Sequence, residues 1–187
     1  MRNWIVVAGD VETSDVDCFN DHMIEVGLIR FECTIDQANK FHKKEIASYV
    51  SKVALPPKAK VSPTAAKING YTEEAWVDAP PLYKVVSEMV PYLEGATFIA
   101  HNAHFDIGFL KSSFNRCRRA WPRMAYRVFD TGSYAHLKFL RGDIEASGLD
   151  ALVEYYGLTR GRHSAENDAR LAMECYSFIV ENSLKGV

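Results

Sequence analysis

An apolar run that ends in two carboxylates is the feature that most constrains this chain. Residues 5–7 are Ile-Val-Val, and Asp10 and Glu12 follow within five residues. The run predicts a buried strand over residues 4–11, and side chains two positions apart on a strand point to the same face. Asp10 and Glu12 would then lie side by side next to the core. Two such charges destabilise a fold unless a positive partner joins them.

The remaining periodicities predict an α/β fold around a mixed sheet. Alternating apolar residues predict strands over residues 22–33 and 45–55, which would form an antiparallel meander with the first strand. Farther along the chain, strand patterns alternate with helical ones, which is typical of α/β proteins. These later segments are strands over 96–101 and 126–131 and helices over 62–70, 82–93, 105–114, 147–158 and 164–181.

Local signals predict where two of the short helices begin and end. Ser62 is the predicted N-cap of the first, with Pro63 at its first position and Gly70 just after its end. Ser147 and Asp150 resemble a capping box at the start of the second, which would end near residue 157.

Bulk composition indicates one globular domain over residues 1–187. Of these residues 48% are hydrophobic, and no internal repeat or flexible linker divides them. No apolar run approaches the ~18 residues of a membrane span, and the apolar run at the N-terminus meets charges too early for a signal peptide. Four cysteines without a C-x-x-C pair predict reduced thiols in a cytosol-like compartment and no zinc site. The net charge of −2 gives no global sign of nucleic-acid binding.

Two further acids are predicted to face inward. Asp106 lies in the first turn of a predicted helix that follows a strand, where α/β folds commonly place sites. An acid at that position also complements the helix dipole, which is the simpler explanation. Asp168 lies on the apolar face of the last predicted helix, where an unpaired charge is expensive. The acids that fit solvated faces and caps are Asp150, Glu154 and Glu166.

Four inward-facing acids predict a site for divalent metal. Carboxylates are hard ligands suited to Mg²⁺ or Mn²⁺, and two such ions can clamp a phosphodiester between the attacking water and the leaving oxygen. His163 is predicted to lie on a mobile loop, where an imidazole can take a proton from that water near neutral pH. The alternatives are a partly protonated acidic cluster and a solvent-exposed loop histidine.

Three motifs resemble those of the DEDDh 3′–5′ exonucleases, the DnaQ-like family that includes polymerase proofreading subunits and ribonuclease T. They are DVET at 10–13, HNAHFD at 101–106 and HSAEND at 163–168, in that order. The segments VSPTAAKING and GLDALVEYYGL also resemble the family's intervening segments, so the resemblance covers roughly residues 4–180. It implies a ribonuclease H-like fold, a central mixed five-stranded sheet flanked by helices.

The resemblance also implies an activity and its residues. The activity is metal-dependent 3′–5′ hydrolysis of nucleic acid, single-stranded DNA or frayed 3′ ends, to nucleoside 5′-monophosphates. The implied ligands of two Mg²⁺ or Mn²⁺ ions are Asp10, Glu12, Asp106 and Asp168, with His163 as general base. The implied contacts to the 3′-terminal hydroxyl are Glu12 and Thr13, and those around the terminal base are Ile68, Asn69 and Phe105. Residues His101, Asn102 and His104 are expected to support the turn of the second motif.

The sequence departs from the family pattern in three places. Ser14 and Asp15 follow Thr13 where many members have Thr-Gly, so contacts to the terminal nucleotide are expected to differ. Asn69 stands where some members carry histidine. The sequence stops at Val187, without the extension that epsilon-type subunits use to bind their polymerase. We therefore expect a stand-alone exonuclease, or one loosely associated with a polymerase or repair complex.

One basic segment suggests a path for the substrate. Residues 114–127 interleave arginines with aromatic residues: Arg116, Arg118, Arg119, Arg123 and Arg127 with Trp121 and Tyr126. Arginines hold phosphates and aromatic rings stack on bases, which suits single-stranded nucleic acid. A solvated helix end and loop explains the segment equally well.

Two other functions stay open at this point. An RNA-trimming 3′–5′ exoribonuclease would carry the same motifs, because a reader of the 2′-hydroxyl is not visible in sequence. A nucleic-acid-binding or polymerase-associated module with little catalysis would normally have lost a ligand, whereas all five motif positions are filled. A serine or cysteine hydrolase is disfavoured, since neither residue type lies in a recognisable nucleophile elbow.

Overall fold

The computed structural model describes residues 2–161 and 163–185, so Val187 lies outside it. The strands are β1 (Arg2–Thr13), β2 (Met23–Ile35), β3 (Phe41–Lys52), β4 (Thr97–Ala100) and β5 (Val128–Asp130). The helices are α1 (Pro63–Asn69), α2 (Leu82–Leu93), α3 (Ala103–Arg116), α4 (Thr131–Leu140), α5 (Leu149–Tyr155) and α6 (Ala165–Lys185), with a short 3₁₀ turn at Glu74–Trp76.

The five strands within the described residues form one mixed sheet in the order β3-β2-β1-β4-β5. The first three strands pair antiparallel, and β4 and β5 join in parallel orientation beside β1. This arrangement confirms the predicted meander and the predicted α/β fold with a central five-stranded sheet. Strand β1, which carries Asp10 and Glu12, lies in the middle of the sheet.

Alternate residues of β1 enter two different cores. Val7 and Val11 pack in a cluster with residues of α2 and α3, on one face of the sheet. Val6 and Ala8 pack on the other face, in a cluster that includes Ala169 of α6. Asp10 and Glu12 continue the even-numbered row, so they point toward α6. The predicted common face of the two acids is therefore the face that α6 covers.

Helix α4 has no counterpart in the predicted elements. The chain passes from β5 directly into this helix, and the side chain of Asp130 accepts the N–H of Gly132 as its N-cap. Only Thr131 and Ala135 are buried, and Leu137 is 59% exposed. The helix therefore lacks the apolar stripe on which helix prediction depends.

The helix caps confirm one prediction and correct another. Ser62 caps α1 by accepting the N–H of Ala65, and Gly70 ends that helix at a φ of 70°. The predicted capping box of Ser147 and Asp150 is wrong. Gly148 is the N-cap of α5 and no side chain bonds to that helix end, because the start of α5 lies one residue later than the box requires.

Two compositional expectations concern the cysteines and the helices. Cys18, Cys33, Cys117 and Cys175 are all free thiols. None of the helices in the described part of the chain is long and apolar enough to cross a membrane.

Gly27 lets the first turn of α6 approach the sheet closely. It is the partner of Asp10 in the β1–β2 ladder. A Cβ atom at Gly27 would lie 2.5 Å from the carbonyl oxygen of Ala165 and 2.8 Å from the nitrogen of Glu166. Both are backbone atoms, which cannot rotate away as a side chain would. The bare Cα of Gly27 therefore sets how near Asp168 comes to the acids of β1.

We expect Gly27→Ala to destabilise the protein by about 1–3 kcal/mol, the usual cost of overpacking a tight contact. The substitution should also lower activity, because α6 would move away from β1. Urea unfolding measures the first effect. Gly148→Ala is the matched control, since nothing lies within 4 Å of a Cβ atom there. Equal stability of the two variants would contradict the assigned role of Gly27.

Candidate active site

Three of the four predicted acids meet between β1 and the first turn of α6. Asp10, Glu12 and Asp168 each offer one carboxylate oxygen, and these atoms all lie within 4.8 Å of one another. The period of the strand brings the first two together, and the docking of α6 brings the third. Asp168 is only 6% exposed. Such a group of hard oxygen donors suits a divalent cation.

The fourth acid, Asp106, lies beside this group rather than within it. It is 2% exposed, in the first turn of α3, as the sequence predicted. Its Oδ1 accepts the N–H of Val11 at 3.0 Å. Because Val11 lies between Asp10 and Glu12, this bond ties α3 to β1 at the acids of the strand. Its charge raises the pKa of Asp10, so the two carboxylates are electrostatic neighbours.

Burial and mutual repulsion disfavour the ionised form of these acids. Burial, with the charges of Asp106, Glu12 and Asp168, holds the pKa of Asp10 well above its ordinary range. Burial, with Asp168 and Glu25, raises the pKa of Glu12 to about 7. Burial also raises the pKa of Asp106. When ionised, these buried carboxylates repel one another, and a bound cation would reduce that repulsion.

His163 lies just before α6 and faces the acids. Its Nδ1 is 3.4 Å from Oδ2 of Asp168, and 43% of its side chain is exposed. It lies in a segment without helix or strand, in agreement with the predicted loop position. The structure thus brings all five motif residues to one end of β1.

Arg160 is the cation that the sequence analysis missed. Its Nε donates to Oδ1 of Asp168 at 3.1 Å, and its Nη2 donates to Oδ2 of the same carboxylate. Its charge also lowers the pKa values of Asp10 and Glu12, against the larger raising effects of burial. The unbalanced charge of the acids indicated that some cation must lie near them. Because Arg160 lies outside helices and strands, no periodic spacing indicated which cation it is.

The residues implied for substrate contact line one cavity of about 220 Å³. Its walls are Val11, Glu12, Thr13, Asp15, Val16, Thr64, Ala65, Ile68, Asn69 and Phe105. Asn69 is buried, and its Nδ2 donates to the carbonyl of Thr13, so it holds the cavity wall together. A larger hollow of about 400 Å³ lies elsewhere, between the start of α2 and the end of α3, and has a mostly apolar lining.

The basic segment at 114–127 lies away from the acids. Its first arginine, Arg116, is the last residue of α3 and lies about 15 Å along the helix axis from Asp106 at 1.5 Å per residue. Arg116 donates to the carbonyl of Phe19 and also bonds His22, while the ring of Trp121 packs on Phe114. Two members of the segment therefore make contacts within the fold. Tyr126 is 97% exposed.

The comparisons with known proteins decide the family. The family model described as RNase_T, exonuclease, matches residues 7–176. The chain belongs to this exonuclease family. The match confirms the resemblance to DnaQ-like enzymes and the prediction that the chain is a 3′–5′ exonuclease.

The curated relatives of this exonuclease include replication proteins. The DNA polymerase III epsilon subunit of Treponema pallidum is 29% identical over 179 residues, which cover 95% of this chain and 77% of that protein. The epsilon subunit of Escherichia coli is 29% identical, with 89% of this chain and 68% of that protein covered. A PolC-type polymerase of Caldanaerobacter subterraneus is 27% identical, and the match spans 11% of it.

The solved structures show the same fold. Escherichia coli exonuclease I in complex with a dT13 oligonucleotide superposes with a TM-score of 0.75 at 15% identity. The superposition covers 96% of this chain and 41% of exonuclease I, so the chain spans less than half the length of that enzyme. The ribonuclease H-like architecture of the exonuclease is thereby confirmed.

Two further side chains of the exonuclease hold the site in shape. Glu25 is opposite Glu12 in the β1–β2 ladder, and its Oε1 accepts the N–H of Ala165 at the start of α6. Oδ1 of Asp130 accepts the N–H of Asn102 at 2.8 Å, where the backbone turns from β4 into α3 with a φ of 72°. Neither Glu25 nor Asp130 belongs to one of the three motifs, so the sequence around them did not indicate a role in the site.

The raised pKa values predict how the stability of the exonuclease depends on pH without metal. The pKa of Glu12 moves from 4.5 to about 7, so the folded state binds more protons than the unfolded state between these values. The free energy of unfolding should therefore fall as pH rises through this window, by on the order of 3 kcal/mol from Glu12. Thermal and urea unfolding in EDTA between pH 4.5 and 8 would measure it.

Glu12→Gln provides the control for this prediction. His22 and His101 have lowered pKa values because burial disfavours their charged form, and they contribute a slope of opposite sign. The difference between wild type and Glu12→Gln isolates the carboxyl. Adding Mg²⁺ should raise the melting temperature of the wild type at pH 8, because the ion binds only the folded state. If the difference in free energy of unfolding between wild type and Glu12→Gln does not change with pH, the raised pKa of Glu12 is wrong.

Proposed function

We propose that the exonuclease hydrolyses single-stranded DNA or frayed 3′ ends to nucleoside 5′-monophosphates, with two divalent ions and His163 as general base. The observation that carries this proposal is the group of three carboxylates within 4.8 Å, directly beside a cavity of about 220 Å³. Glu12 belongs to both the acid group and the cavity wall, so the reacting phosphate would lie next to the terminal nucleotide.

The donor set of the site fits Mg²⁺ or Mn²⁺. Carboxylate oxygens are the ligands these ions prefer, and the raised pKa values of Asp10 and Glu12 show that the site favours added positive charge. Asp10, Glu12 and Asp168 would hold the first ion, and Asp106 next to Asp10 would help hold the second. When bound, such ions offset phosphate charge and favour ionisation of the attacking water.

His163 is placed to remove the proton of the attacking water. Its ring lies on the acid side of the loop, and its partly exposed edge can exchange protons with solvent. Imidazoles serve this role near neutral pH because they bind and release a proton readily there. Nδ1 of His163 lies 3.4 Å from Oδ2 of Asp168, so the ring is beside the acids that would hold the ions.

The cavity beside Glu12 would receive the last nucleotide of the strand. Phe105 and Ile68 present apolar surface on which a base can stack or pack. Glu12 and the backbone of Thr13 lie on the same wall, where they would contact the 3′-hydroxyl. Asp15 belongs to the same wall, so we infer that it also contacts the nucleotide.

The test is a degradation assay on matched substrates. Single-stranded DNA and RNA of the same sequence, labelled at the 5′ end, are incubated with Mg²⁺ and either wild type or Asp10→Ala. A ladder that shortens from the 3′ end with wild type only, and faster on DNA, is the expected result. Faster shortening of RNA would favour an RNA-trimming enzyme. Intact substrates in every lane, with Mn²⁺ also tried, would favour a binding module instead.

The cellular setting is part of the same proposal. The relatives named as polymerase III subunits support loose association with a polymerase or repair complex. Four free thiols support a reducing, cytosol-like compartment.

A further inference from the structure

Arg160 contacts three groups of the site at once. Its Nε and Nη2 bind both oxygens of the Asp168 carboxylate. The same Nη2 is 2.8 Å from Nδ1 of His163, and Nη1 donates to Oδ1 of Asp150 at 2.6 Å. The side chain is only 15% exposed. Each nitrogen of the guanidinium therefore has at least one hydrogen-bond partner in the site.

The contact with Asp168 places Arg160 in competition with a cation. Bidentate pairing uses both carboxylate oxygens, and one of these belongs to the group of three that lies within 4.8 Å. A divalent ion needs a lone pair of the same carboxylate. The two cations also repel each other at such short range. Pairing of Asp168 with the guanidinium therefore competes with its binding of an ion.

The contact with His163 determines which ring nitrogen carries a proton. A guanidinium has donors and no acceptor, so Nδ1 must offer its lone pair to Nη2. The neutral ring then carries its hydrogen on Nε2. Both nitrogens are occupied in this state, and the imidazole has no free lone pair with which to accept a proton from water. The arrangement that neutralises Asp168 thus also blocks the proposed base.

We propose that Arg160 couples metal loading to activation of the base. When a divalent ion takes Asp168, the guanidinium leaves that carboxylate and the lone pair of His163 becomes available in the same movement. Asp150 retains Arg160 through Nη1, so the charge of the guanidinium stays beside the site after it leaves Asp168. Arg160 is in these terms a positioning residue. The inference rests on the proposed function, since it requires a metal at Asp168.

Metal affinity measured without substrate tests the competition. Mn²⁺ binding is followed by calorimetry for wild type, Arg160→Gln and Asp150→Asn, each stripped with chelator. Arg160→Gln should bind Mn²⁺ about tenfold more tightly, because no ion pair has to be broken first. Asp150→Asn should stay within about twofold of wild type, since Asp150 holds Arg160 both with and without the ion.

Arg170→Gln is the matched control. It removes the same charge from α6, where Arg170 pairs with Glu45 and Glu166 rather than with the site. Its Mn²⁺ affinity should stay within about twofold of wild type, because salt screens distant charges. Unchanged or weaker binding by Arg160→Gln would overturn the inference, and weaker binding would show that Arg160 holds Asp168 in place for the ion.

The ring nitrogens of His163 give a second, independent readout. Nitrogen-15 spectra of metal-free wild type should show hydrogen on Nε2, and Mg²⁺ should shift the Nδ1 resonance. In Arg160→Gln that shift should already be present without Mg²⁺. A His163 signal that is identical in the two metal-free proteins would contradict the coupling. Failure of wild type to bind Mn²⁺ at all would instead count against the proposed function.

Discussion

Replacing Asp10 by asparagine is expected to abolish hydrolysis while the folded protein becomes more stable in the absence of metal. The carboxylate lies in the group of three that would hold the ion, and asparagine cannot supply its charge. We expect a loss of about 10⁴-fold or more, equivalent to about 5.5 kcal/mol of transition-state stabilisation. Stability should rise because burial and three neighbouring carboxylates disfavour the charge of Asp10.

The two effects of Asp10→Asn have opposite signs, which separates a functional role from a structural one. Single-turnover cleavage of a labelled strand measures the first, and urea unfolding at pH 8 in EDTA measures the second. Asp78→Asn is the control, since Asp78 is exposed and belongs to neither the acid group nor the cavity wall. A variant that keeps its activity within tenfold of wild type, or that loses activity by unfolding, would remove Asp10 from the site.

Replacing His163 by alanine is expected to slow hydrolysis by about 10²–10⁴-fold, the usual contribution of a general base. The backbone of the loop and the acids of β1 do not depend on the imidazole. Binding of Mn²⁺ and of a single strand should therefore change little. His163 contributes through its position 3.4 Å from Asp168, so the loss should appear in the chemical step.

The measurement combines rapid-quench kinetics with equilibrium binding of the same labelled strand. His42→Ala is the control, because that imidazole is about half exposed and pairs with Asp36 at the far end of β3. Full activity of His163→Ala would mean that another group takes the proton. Loss of strand binding together with activity would instead assign the ring to substrate contact.

The acids could be predicted because regular elements carry them. The strand period put Asp10 and Glu12 on one face, and the helical stripe of α6 showed that Asp168 faces the core. Asp106 was visible as an acid in a first turn. These signals depend only on spacing within one element, which the sequence displays directly.

What could not be predicted depends on contacts between elements or on loops. Arg160 itself lies outside any helix or strand, so no periodic spacing marks it as a partner of Asp168. Helix α4 was not predicted because Leu137 and its neighbours are exposed, so the helix has no buried apolar stripe. The capping box of Ser147 and Asp150 failed because α5 begins one residue later, with Gly148 at its N-cap, and Asp150 pairs with Arg160 instead. In these cases the surrounding fold outweighed the local pattern.

The acids of β1 and the acid of α6 come from the first and last elements that the structure describes. Helix α6 also covers a whole face of the sheet, through residues such as Met173 and Tyr176. A chain still being synthesised has neither a closed core nor a full set of acids until this helix leaves the ribosome and docks. Cutting ability therefore arrives only after α6 has docked, well after the acids of β1 have been made.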